Sequence, residues 1–128
     1  MQNRIEITTC VMKKDELHLK AEAIEQQIEQ IEDMKQVLAD SDNMSFVYIV
    51  EVNEQFMYVG LSDNMWPHLK NVLQDDKKVF LEVNKQVVEL TAMKEELTDL
   101  ISNIEGNVNY GDDMVARVEE IFLDKKSR

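Results

Sequence analysis

The chain has little of what marks a chemical site or a flexible multidomain protein. Its 128 residues include one cysteine, one proline, three glycines and two histidines. The lone Cys10 has no internal disulfide partner, so a reducing cytoplasm is the expected location. With so little Pro and Gly, no linker divides the sequence, and residues 1–128 read as a single domain. His18 and His68 stand in no CxxC or HxxxH spacing, and no D-x-D-x-D-G loop occurs, so no metal or other cofactor is expected. Basic residues are scarce too. Fourteen Lys and Arg face 26 Asp and Glu, a net charge of −12 that argues against nucleic acid and against an anionic membrane as partners. No apolar run approaches the ~20 residues of a membrane span, and the opening MQNRIEITTC has no apolar signal-peptide core.

Against these absences stands a hydrophobic content of 44%, ample for a packed core. Ile5, Ile7 and Thr9 alternate with polar neighbours, Lys13-Lys14-Asp15-Glu16 turn, and Leu17 and Leu19 resume the alternation, which predicts a hairpin. Residues 21–39 then suggest a helix, with Ile24, Ile28, Ile31 and Leu38 on one stripe interrupted by Lys35. Ser41-Asp42-Asn43 is turn chemistry. Two runs rich in Phe, Val, Tyr and Ile, 45–52 and 56–61, form a predicted central hairpin around Asn53-Glu54-Gln55. Gly60 in the second run marks a bulge or a close approach by another backbone. A helix opening at Asp63 or Asn64 takes Pro67 in its first turn. Residues 79–83 and 86–90 suggest a third hairpin turning at Asn84-Lys85. Met93, Leu97, Leu100, Ile101 and Ile104 repeat at three and four, Gly106 ends that helix, and Asp112 is expected to cap a last one through Val115, Val118, Ile121 and Phe122. The expected fold is α+β: an antiparallel sheet built from hairpins, helices packed on it, and a C-terminal helical pair.

Catalytic patterns are missing. Cys10 and His18 fall on opposite strands of a hairpin with nothing to lower the thiol pKa, and no G-x-S-x-G elbow occurs. The Gly106–Gly111 segment has two glycines of a phosphate loop, but Asp112 and Asp113 follow where lysine and serine or threonine would stand, and they repel an anion. It reads as a helix–helix joint in which Tyr110 packs.

Several stretches together resemble a known family. Leu38-Ala39-Asp40-Ser41-Asp42-Asn43 leading into Ser45-Phe46-Val47-Tyr48, Trp66 near a helix start, and the tail LTAMKEELTDLISNIEGNVNYGDDMVARVEEIF are similar to an uncharacterised family of small acidic proteins from Bacillus- and Staphylococcus-type bacteria. The likeness covers roughly residues 36–122, its most specific element is Gly106–Gly111, and it departs at 21–35, where members carry a shorter, Gly-containing segment. It implies a cytosolic bacterial protein and supplies no activity, ligand or site residue.

The functional expectation is a non-enzymatic interaction or regulatory module, with a protein partner or self-association. Ile24, Ile28, Ile31 and Leu38, whose spacing resembles a coiled-coil seam, and Trp66 are its candidate contact residues. The alternative is a small-ligand-binding domain or weak enzyme. Its pocket would lie between the central hairpin and the Trp66 helix, lined by Tyr48, Tyr58, Trp66 and His68.

Overall fold

A computed structural model describes residues 3–124. In chain order it contains β1 (Arg4–Lys13), β2 (Glu16–Ala21), β3 (Ile31–Asp40), β4 (Ser45–Val52), β5 (Gln55–Ser62), α1 (Trp66–Asp75), β6 (Lys78–Val83), β7 (Gln86–Glu89), α2 (Met93–Ile104) and α3 (Asp112–Phe122). The α+β class, the three predicted hairpins and the C-terminal helices are all present. Asn53-Glu54 and Asn84-Lys85 form two-residue turns with positive φ at both positions, which suits the twist of the flanking strands.

The sheet is mixed, which corrects the purely antiparallel expectation. Its order is β3-β4-β5-β1-β2-β6-β7. β1 runs parallel to β5 over Arg4–Glu6, and β2 runs parallel to β6 over Glu16–Lys20. An irregularity between Ile7 and Thr9 lets β1 leave β5 and continue along β2, and the sheet curls until β3 and β7 touch.

The larger correction concerns residues 21–39. No helix forms there: 22–30 is an irregular segment, and β3 follows as an edge strand beside β4. The segment instead closes one end of the curl. Asn53 accepts from the N–H groups of Glu29 and Gln30 (2.9 and 3.1 Å) and donates to Gln27 O (2.7 Å). Asn84 does the same work on the other side, accepting from Ile24 N–H and donating to the carbonyls of Ile24 and Gln26. Two left-handed turn asparagines thus satisfy a strand-less backbone that would otherwise lack partners. Ile28 is pressed into the core between them.

All three helices lie against one face of the sheet. Ile5, Leu17, Leu19, Phe46, Tyr48, Val59, Leu61, Val79 and Leu81 join Leu69, Val72, Leu97, Ile101 and Val118 in one buried cluster. Trp66 stacks on Phe46 at 4.6 Å between centroids, Phe122 closes the group at 5.8 Å, and the indole N–H donates to Leu61 O at 2.9 Å. Pro67 falls in the first turn of α1, as predicted.

At the joint between the last helices, Gly106 adopts φ +66° and its N–H donates to Glu119 Oε2 of α3 at 2.8 Å. The expected cap is corrected. Gly111, at φ +92°, holds the cap position, and Asp112 and Asp113 sit inside the first turn without a side-chain capping bond. Their charge still favours that end of the helix.

Candidate functional site

Because the helices occupy one face, the opposite face of β3, β4, β5 and β1 is left open. Strand alternation decides what it shows. Along β4, Phe46, Tyr48, Val50 and Val52 join the core, and Val47, Ile49 and Glu51 point the other way. Register lays out rows on that open face: Leu38 beside Val47 and Gly60, Gln36 beside Ile49, Tyr58 and Arg4, and Glu51 beside Phe56. Leu38 is 39% exposed and Phe56 53%. Neighbouring side chains bury Val47 fully and leave Ile49 only 9% exposed, so what this face shows to solvent is Leu38, Phe56 and part of Tyr58.

One charged group crosses this face. Arg4 reaches from β1 over Gly60, bonding Asp40 of β3 at 2.8 Å and Ser45 of β4 at 2.8 Å, while its Nε meets Glu6 at 2.9 Å. Asn43 donates to the same Asp40 oxygen at 2.9 Å. Burial pushes the Asp40 carboxyl up, but Asn43 and Arg4 outweigh it and hold it below the usual carboxylate range.

Farther along the open side, His18 of β2 meets Glu82 through Nδ1 at 2.8 Å and Glu16 through Nε2 at 2.9 Å, and stacks on Phe80. A neutral ring donates only one of these bonds, whereas an imidazolium donates both. Cys10 pairs with Leu19 and leans toward the core, so the thiol and His18 belong to opposite faces of the hairpin. Cys10 instead shares a cleft of about 210 Å³ with Thr8, Thr9, Ser62, Asn64 and His68. Burial pushes its thiol up, which keeps it protonated rather than nucleophilic. Among the described residues, no three His, Cys, Asp or Glu side chains are placed to hold a metal ion. No helix there is long and apolar enough to cross a membrane.

A family model described as a family of unknown function, UPF0738, matches residues 5–122. The chain belongs to that family. The UPF0738 match takes in β1, β2 and the 21–35 segment as well as the 36–122 region that carries the resemblance. A UPF0738 protein of Bacillus cytotoxicus is 41% identical over 123 residues, covering 96% of this chain and 100% of the relative. UPF0738 proteins of Bacillus mycoides and Bacillus cereus are each 37% identical over the same share. No solved structure matches the chain.

The candidate residues named from sequence are dispersed in this UPF0738 fold. Ile28 is in the core, Ile24 and Ile31 pack at its margin, and only Leu38 of the former stripe reaches the open face. Trp66 and Tyr48 are fully enclosed, so neither offers a surface anchor or a cleft wall. Tyr58 lies on the open face and His68 in the cleft beside Cys10, so the four proposed pocket residues do not converge. Phe56 was missed as a surface candidate because the runs of β4 and β5 are apolar on both faces. Phe56 follows a turn and could have been found as the first outward position of β5.

Gly60 is explained by Arg4 and not by a second backbone. A Cβ built at Gly60 would lie 2.9 Å from the Arg4 guanidinium nitrogen and Nε. Arg4→Ala is expected to cost about 2 kcal/mol, because it leaves the shielded Asp40 without its cation. Gly60→Ala is expected to cost about 1–2 kcal/mol by displacing the same guanidinium. In the Arg4→Ala background the methyl finds free space and strand backbone prefers alanine, so that cost disappears. Urea melts of the two single variants and the double variant check this, and additive losses would show that Gly60 serves something else.

Proposed function

We propose that this protein is a non-enzymatic module that works by contact with another protein on the open face of β3, β4 and β5. The supporting observation is the group of Leu38, Tyr58 and Phe56 on a sheet face that carries no helix, with Phe56 more than half exposed. Apolar side chains left in water favour association, and aromatic residues supply much of the energy in such contacts. The one thiol is held protonated and the polar cleft beside it is small, which fits binding better than chemistry.

Phe56→Ser and Leu38→Ser change side chains that make no part of the core, so both variants are expected to melt within about 0.5 kcal/mol of the parent. A partner recovered by affinity purification from the native cell should be lost with either. Undiminished recovery with both variants overturns the proposal.

A further inference from the structure

We propose that the segment docking on this face carries lysine or arginine beside its apolar side chains, an inference that rests on the reading just given. Beyond Ile49 and Tyr58, the face ends in a row of Glu32, Glu51 and Phe56 on three neighbouring strands. Glu32 and Glu51 are direct cross-strand partners. Like charges in that relation repel and weaken the sheet. Gln30 donates to Glu32 at 2.8 Å, but no Lys, Arg or His of the described chain forms an ion pair with either carboxylate. Elsewhere on the open side Glu6 and Asp40 meet Arg4, and Glu16 and Glu82 meet His18.

The unmatched pair therefore stands beside the most exposed aromatic ring of the face. A cation placed there meets a carboxylate on one side and the face of Phe56 on the other, two attractions that reinforce each other. Leu38 and Tyr58 take the apolar side chains of the same segment. The chain's charge of −12 draws a basic partner in from a distance. A second copy of this chain is the wrong occupant, since it brings the same acidic row and the same net charge to the contact.

Three synthetic twelve-residue peptides test this against the full-length isotope-labelled protein: alternating Leu and Lys, alternating Leu and Glu, and alternating Ser and Lys. The Leu/Lys peptide is expected to move the amide signals of Leu38, Ile49, Phe56 and Tyr58. Its affinity should fall about tenfold in a Glu32→Gln/Glu51→Gln variant and fall again as salt is raised. That variant should melt at or slightly above the parent temperature, because it removes a repulsion. Equal binding of Leu/Glu and Leu/Lys peptides, indifferent to the double substitution, overturns the basic-partner inference and leaves the apolar-face reading standing. Equal binding of Ser/Lys and Leu/Lys peptides shows attraction by charge alone and overturns the apolar-face reading. Dimers in sedimentation, with signal changes at these same residues, identify a second copy as the occupant and overturn the inference. Absence of binding by every peptide overturns both.

Discussion

Trp66→Ala is expected to destabilise the protein by about 4 kcal/mol, a large part of the roughly 5–15 kcal/mol that holds a domain folded. The indole is fully enclosed, stacks on Phe46, contacts Phe122 and donates to Leu61 O. Removing it empties the junction of β4, α1 and α3 at once and leaves the Leu61 carbonyl without that donor. Trp66→Phe keeps the stacking and loses the hydrogen bond, so its cost should be about half. Guanidinium melts of both variants check the order. A near-neutral Trp66→Ala would show that Trp66 does not hold α1 to the sheet.

Asp33→Ala is the second large loss expected, about 3 kcal/mol, from orphaned donors rather than lost volume. Asp33 Oδ1 accepts from the Tyr48 hydroxyl at 2.5 Å and Lys35 N–H at 2.9 Å; Oδ2 accepts from Thr91 N–H at 2.9 Å and the Thr91 hydroxyl at 2.6 Å. The Tyr48 hydroxyl in turn accepts from Ala92 N–H at 3.2 Å, so this pair replaces the capping side chain that α2 lacks. Burial pushes Asp33 up, but the bonds from Thr91, Tyr48 and Lys35 outweigh it and hold the carboxyl below its usual range. Burial, and then the Asp33 carboxylate, push the Tyr48 phenol up, keeping it a donor. The folded-state value of Asp33 lies below the unfolded one, so the unfolded chain takes up the proton first as pH falls. Its stabilisation is therefore complete above the ordinary carboxylate pKa, about 4, and is lost below it. Melts at successive pH values from 6 to about 2.5 should fall less steeply for Asp33→Asn than for the parent.

Asp33 also shows why residues 21–39 mislead when read as sequence. In β3, Ile31 and Asp33 face the core, a bulge at 34–35 shifts the phase, and Val37 and Ala39 face it next. Lys35 takes φ +57° at that bulge. An inward carboxylate, an outward Leu38 and an extra residue together erase the alternation that marks a strand. The Glu, Gln and Ala content then favours a helix by propensity alone, and tertiary pairing with β4 overrides it. The three hairpins were legible because alternation and polar turn residues, Lys14-Asp15, Asn53-Glu54 and Asn84-Lys85, agree within a dozen residues or so. The parallel pairings of β1 with β5 and of β2 with β6 join segments far apart in sequence and leave no local mark. The open face was hidden for a different reason. A run as apolar as Phe46–Val50 says that a strand is central, and the helices, packed elsewhere, decide which side stays bare.

The position of β1 and β2 in the middle of the sheet has a consequence for synthesis. The hairpin they form emerges from the ribosome first, yet its two outer edges are completed by β5 and β6, whose residues begin at 55 and 78. Translation adds about 5–20 residues per second. For several seconds, then, the nascent hairpin presents two unpaired rows of backbone donors and acceptors, the kind of edge to which other chains add. Two of the earliest strands thus wait for neighbours made much later.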